Sequence, residues 1–216
     1  ADDNEFDKSL AAGFNFRPNT KLDLEFEVFL RNEFDTDHFI DQISDEQAIN
    51  TYGARYIFSD ISNSTRGMSL EADMIHSPTV SFQFFMRPEL GHYQYRRLKE
   101  FNNPRGYDFN YYKKDQIREI DENTIEITPG DGSDANAFTI SRDFIRGFNL
   151  ISLRSNFVVK WEFKPGSSMF LVWQHERNHY EITDDNNLRI NDGVETLLGS
   201  EFISTFMIKV TYWLSS

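Results

Sequence analysis

Apolar and polar residues alternate with a period of two along most of the chain. Leu22, Leu24, Phe26, Val28 and Leu30 alternate with Lys21, Asp23, Glu25, Glu27 and Phe29. Met68, Leu70, Ala72 and Met74 alternate with Gly67, Ser69, Glu71 and Asp73, and Val80, Phe82, Phe84 and Met86 alternate with Ser81, Gln83, Phe85 and Arg87. A longer run places Ile151, Leu153, Ser155, Phe157, Val159, Trp161 and Phe163 against Ser152, Arg154, Asn156, Val158, Lys160 and Glu162. The last places Phe206, Ile208, Val210 and Tyr212 against Met207, Lys209, Thr211 and Trp213. Successive strand side chains point to opposite faces, so each run predicts a strand with two unlike sides. Seven strands are predicted, over 8–16, 21–36, 50–76, 79–90, 148–163, 167–178 and 203–213. Helix signals are few. Residues 44–49 and 93–101 predict short helical turns at most, because neither keeps an apolar stripe over three turns.

The connections are of two kinds. Three are tight and hold Pro18, Pro78 and Pro165; proline fixes φ and offers no donor, which suits a turn and ends a ladder. The others, over 31–50, 88–147 and 175–203, are predicted to be long polar loops. Tight turns at one end and long loops at the other is the asymmetry of an outer-membrane β-barrel. The predicted strands are also longer than the roughly 5–6 residues usual in a sandwich. Phe14, Phe16, Trp161, Phe163, Tyr212 and Trp213 lie near the turns, where an interfacial aromatic girdle would place them.

Composition narrows the picture. The 216 residues carry a formal charge of −13, which repels phosphate backbones and argues against a nucleic-acid partner. Cysteine is absent, which removes disulfides, thiolate zinc ligands and a thiol nucleophile. The longest purely apolar run, Met169 to Trp173, is far short of the ~20 residues of a membrane helix. Of the aromatics, 21 are Phe. No domain boundary or low-complexity linker is visible, so 1–216 reads as a single β-barrel segment without a separate soluble domain.

The stretch from Ser152 through Trp161-Glu162-Phe163-Lys164-Pro165-Gly166 to Gln174 resembles the signature near the C-terminus of an uncharacterised Bacteroidota family. Arg55-Tyr56-Ile57-Phe58, Ser77-Pro78-Thr79-Val80-Ser81-Phe82 and the ending Phe206 to Trp213 fit as well. Members of that family join an N-terminal family-nine-type carbohydrate-binding domain to a predicted outer-membrane barrel. The resemblance implies a fold and a compartment, the bacterial outer membrane, and no activity. It implies that this chain is the C-terminal portion of a larger barrel. The missing strands would then come from the same protein or another chain, and residues 203–213 would be the closing strand.

The expected fold is therefore all-β, an antiparallel transmembrane barrel. Asp23, Glu25, Glu27, Glu71, Asp73, Arg154, Lys160, Glu162 and Lys209 are expected to line its lumen. Leu24, Phe26, Val28, Phe82, Phe84, Phe157, Val159, Trp161, Phe206, Ile208 and Val210 are expected to face lipid. The expected role is passage or docking of a molecule at the outer membrane. Outer-membrane lipid is the expected partner, with other outer-membrane or periplasmic proteins as further candidates. A soluble β-sandwich that binds carbohydrate through exposed aromatics is the alternative.

His175-Glu176-Arg177-Asn178-His179 matches the zinc-peptidase pattern His-Glu-x-x-His, in which both imidazoles reach one Zn²⁺ from one helix face. The preceding Met169-Phe170-Leu171-Val172-Trp173 reads instead as a strand. On a strand the two histidines lie about 13 Å apart at roughly 3.3 Å per residue, too far for one ion. Asp131-Gly132-Ser133-Asp134 and Asp184-Asp185-Asn186-Asn187 are acidic, but the first lacks the spacing and closing Glu of a calcium loop. No enzyme activity, metal or cofactor is expected.

Overall fold

The computed structural model describes residues 5–103, 105–106, 108–130, 137–184 and 189–214. Its strands are β1 (Phe6–Asn19), β2 (Leu22–Ser44), β3 (Ala54–Ser77), β4 (Val80–Asn103), β5 (Asp108–Tyr111), β6 (Ile117–Glu119), β7 (Thr124–Ile127), β8 (Phe138–Ser141), β9 (Gly147–Lys164), β10 (Ser167–Thr183) and β11 (Phe202–Thr211). One α-helix, α1 (Ile190–Gly199), precedes β11. The large sheet runs β1-β2-β3-β4-β9-β10-β11, and β5 adds to β4 beyond the start of β9. A second, three-stranded sheet runs β6-β7-β8. Every pairing is antiparallel.

Two of the three predicted Pro turns stand as read, while Pro18 lies within β1 and the first turn falls at Thr20-Lys21. Ser77 pairs with Val80 across Pro78-Thr79, and Ser167 pairs with Lys164 across Pro165-Gly166. Gly166 has φ 79°, and a Cβ there would also lie 3.1 Å from the Cβ of Trp213. Proline first and a positive-φ glycine second is the residue order of a type II turn.

Directly opposed residues in adjacent strands share a face, so the registers can be followed across the sheet. Phe16 opposes Leu24, Leu24 opposes Ala72, Ala72 opposes Phe84, Phe84 opposes Phe157, Phe157 opposes Trp173 and Trp173 opposes Phe206. The alternating apolar positions of these strands therefore fall on one side. On the other side Asn15, Glu25, Glu71, Phe85, Asn156, Gln174 and Thr205 oppose one another in the same way.

The compact core lies at the end remote from the tight turns. Ile57 and Leu98 of the large sheet pack with Ile125, Ile127 and Ile140 of the small one, with Ile40, Ile43 and Phe138 around them. Alternation along β3 places Ile57 on the side of Glu71 and Asp73. The small sheet thus covers the polar side at the loop end, not the apolar side. A sandwich would need its second sheet on the apolar side; among the described residues no sheet covers it.

Three expectations need correction. The regions 31–50, 88–147 and 175–203 are not wholly loops: β2 continues to Ser44, β4 to Asn103 and β10 to Thr183. Residues 93–101 belong to β4 instead of a helical turn, and the turn expected at 44–49 falls at Ile49–Thr51. Their polar side chains masked the strand pattern there, because β2 and β4 carry register shifts in that half. The sheet is also not closed among the described residues: β1 pairs only with β2, and β11 only with β10.

Ile127 is fully buried between the sheets. Ile127→Ala should cost about 2–5 kcal/mol through lost burial and a cavity. Hydrogen exchange should show the loss confined to 117–145, with the β2–β3 ladder below Leu30 unchanged.

Candidate functional site: two sheet faces and a loop-end cleft

The residues expected to face lipid all lie on the apolar side, and those expected to line a lumen all lie on the other. Leu22, Met74, Phe82, Val159, Leu171 and Ile208 make one apolar row, and Val80, Trp161, Met169 and Val210 the row nearer the turns. Phe82 stacks on Phe157, Trp173 on Phe206, and Phe14 tilts against Phe26. Near the turns Trp161, Phe163 and Tyr212 form a chain of rings with centroids 5.9 and 6.4 Å apart. Much of this side is open: Phe206 is 77% exposed, Ile208 68% and Leu10 67%.

The apolar side is bounded above by polar residues. Lys8, Asn32, Ser64, His92, Asn149 and Glu181 oppose one another in a single polar row across six strands. On β4 the apolar positions below it run from Val80 to Leu90. That is roughly 34 Å along the strand at ~3.4 Å per residue, or about 26 Å along the axis of a barrel tilted ~40°.

The polar side is strongly acidic over β2 and β3. Glu25 opposes Glu71, and Asp23 opposes Asp73. Like charges directly opposite destabilise a sheet, so neighbours must offset them. Arg17 pairs with Asp23, and Gln83 Nε2 donates to Asp73 Oδ1 at 2.9 Å. Over β9 to β11 the same side carries Arg154, Lys160, Glu162 and Lys209 beside Val158, Phe170 and Val172. Phe29 also points to this side. Its ring lies over Gly67, where a Cβ would come within 2.4 Å, and beneath the Arg87 guanidinium at 4.7 Å.

Two buried ionic clusters hold the loop end, one on each side of the sheet. Lys99 and Glu100 are adjacent on β4 and therefore point oppositely. Lys99 Nζ donates to Asp60 Oδ1 at 3.2 Å and Asp37 Oδ1 at 3.4 Å, and lies 4.3 Å from the centre of the Phe109 ring. Asp60 is fully buried and also pairs with Arg97. On the other side Arg55 donates to Asp45 Oδ2 at 2.6 Å and Glu100 Oε2 at 2.7 Å.

The Arg55–Glu100 pair forms the floor of a cleft of about 820 Å³ between the two sheets, also lined by Tyr111, Tyr112, Lys113 and Arg118. The Tyr112 hydroxyl is buried there. It faces the Glu100 carboxylate without a well-formed hydrogen bond. Burial and the negative charge of Glu100 push Tyr112 far above the ordinary phenol range. The backbone N–H of Gln47, followed by the Arg55 side chain, holds Asp45 below the usual carboxylate range.

These residues escaped the sequence reading because they lie in 88–147 and in the far halves of β2 and β3. One signal was present: Thr124-Ile125-Glu126-Ile127 alternates over a single short strand. The charged partners are far apart in sequence, and no local pattern joins Arg55 to Glu100.

His175 and His179 both lie on β10, so the zinc pattern lacks its helix. His175 Nδ1 is 2.9 Å from Ser204 Oγ, and Arg177 Nε donates to His175 Nε2 at 3.2 Å. Among the described residues no group of three or more His, Asp or Glu gathers as a metal site. The acidic stretches 131–134 and 185–187 lie outside the described residues. Among the described residues no helix is long and apolar enough to cross a membrane. Comparison with protein-family models, with curated proteins and with solved structures finds no match.

Asp45 and Tyr112 make stability depend on pH at both extremes. Asp45 is depressed in the fold, so its contribution is present above the ordinary value of ~3.9 and lost as pH falls through its folded value. Tyr112 is raised, so its contribution is present below ~10 and lost as pH rises towards its folded value. Burial raises Tyr95 as well, so alkaline titration followed by phenolate absorbance should show more than one tyrosine that stays neutral beyond pH ~10, and Tyr112→Phe should remove the most resistant of them.

Proposed function

We propose that this chain is part of the wall of an outer-membrane β-barrel, completed by further strands. The observation that carries it is the single register. It gathers the alternating apolar positions of seven long strands onto one exposed side, and a polar row across six of those strands bounds it. The band's height, roughly 26 Å along a tilted axis, matches the ~25 Å apolar belt of such barrels. Lipid offers no hydrogen bonds, so strands in it must close upon one another. The acidic opposite side then lines a lumen. The small sheet caps that side at the loop end, beside the cleft of about 820 Å³. The role that fits is passage or docking of a molecule at the outer membrane. The resemblance of 152–174 to the Bacteroidota barrel family supports the same reading.

Strand direction adds a condition. β1 and β11 both run from the loop end to the tight-turn end, since Phe6 pairs with Phe34 and Phe202 with Arg177. Joining them directly would make a parallel seam. A wall that stays antiparallel throughout needs an odd number of additional strands between them.

Arginine scanning of the refolded, membrane-inserted protein tests the assignment of sides. Phe84→Arg or Phe157→Arg should lose about 2–4 kcal/mol near the midplane, while Gln83→Arg or Asn156→Arg should change stability little. Equal tolerance on both sides would overturn the barrel wall. The seam is tested with the pair Ala12→Cys and Ile208→Cys in a chain that has no other cysteine. No disulfide should form between them in the native barrel; efficient cross-linking would mean direct closure of β1 on β11.

A further inference from the structure

The apolar belt is not equally tall around the sheet. At the level where β1 to β4 present Phe14, Phe26, Leu70 and Met86, β9 to β11 present Ser155, His175 and Ser204. Two residues higher, β10 presents Arg177 on the same side, and two higher again His179. The helix α1 lies over this part of the sheet, in contact with β9 and β10. Gly193 allows the approach: a Cβ there would come within 2.4 Å of Leu90 Cδ2. Leu197 is buried beside it. Arg177 fastens the helix end, donating to the carbonyl oxygens of Leu198 at 2.7 Å and Ser200 at 2.9 Å.

The outward part of α1 carries a second apolar stripe. Ile190, Val194 and Leu198, spaced by four, are 52%, 45% and 67% exposed. At about 100° per residue this stripe adjoins the buried pair Gly193 and Leu197, while Asn191, Asp192 and Glu195 occupy the remote flank. The apolar arc of the helix is therefore wider than the strip the sheet covers. Phe202, which follows the helix and opposes Arg177, is also exposed on this side.

We propose that α1 is an interfacial helix. Its Ile190, Val194 and Leu198 stripe enters the outer boundary of the hydrocarbon and restores the belt where β9 to β11 turn polar. The occupant of the stripe is lipid, because the stripe continues the apolar band on the same side of the sheet. An amphipathic helix with its apolar arc in the acyl boundary and its polar flank outward is a stable arrangement at such an interface. Arg177 is hydrogen-bonded to the helix end and to His175, and His175 Nδ1 meets Ser204 Oγ, so these polar groups are partnered beside the helix. This inference rests on the barrel-wall reading.

The test places one environment-sensitive fluorophore at a time, through Leu198→Cys, Glu195→Cys or Phe157→Cys, in full-length protein inserted into phosphatidylcholine vesicles. Brominated lipids with shallow or deep bromines then report depth. The expected result is blue-shifted emission at 198 and 157 and not at 195. Shallow bromines should quench 198 most strongly, and deep bromines 157. A probe at 157 that reads hydrocarbon beside one at 198 that reads water would overturn the interfacial helix and leave the wall standing. Water at both positions would overturn the wall, and the helix proposal with it.

Discussion

One hydrogen-bonding register, continuous from β1 to β11 between the irregularities beside the tight turns and those of the loop end, fixes everything else in this molecule. In an antiparallel sheet a slip of one residue exchanges the two sides of a strand. Here such a slip in β9 would carry Phe157 and Val159 among the carboxylates, and Arg154 and Lys160 among the phenylalanines. Two-residue turns hold the register at one end, where Pro78 and Pro165 stop the ladder. The stacked pairs Phe82–Phe157 and Trp173–Phe206 reinforce it in the middle.

At the other end, buried charge takes over from apolar stacking. Lys99 and Glu100 send opposite charges to opposite sides of the same strand, each into a nearly dry environment. Removing a charge from water is expensive, so these groups are tolerable only because each is paired and hydrogen-bonded. The same pairs tie β2, β3 and β4 together beyond the polar row, where the strands have left the apolar band. The small sheet supplies the desolvation on one side, and the Phe58, Phe101 and Phe109 cluster supplies it on the other.

The period-two pattern made the turn-proximal sheet legible in the sequence. Each of the seven principal strands, the Pro78 and Pro165 turns and the side of each nominated residue could be read there, because alternation and turn chemistry are local. The loop-end halves could not. Register shifts between Asp35 and His38, and between Ser59 and Ile61, break the alternation that would have extended β2 and β4. The core at that end is assembled from Ile57, Leu98 and Ile125, whose proximity follows from tertiary packing. Likewise α1 is short, and its apolar arc is divided between the sheet and the exterior, which blurs its stripe.

The small sheet also bears on the order in which the chain can fold. The β1–β2, β3–β4 and β9–β10 hairpins close across two-residue turns and involve mostly local contacts, which form quickly. The β4–β9 ladder instead joins Gln94 to Gly147 across a long insertion. Closing such a loop costs conformational entropy, although the cost grows only slowly with length. Once β5 has paired with β4 and the small sheet has packed on Ile57 and Leu98, much of the insertion is already ordered. The start of β9 is then held near the edge it must join. The cap at the loop end thereby acts as a staple between two independently formed hairpin units, and an unfolded cap would slow the union of the sheet without altering either unit.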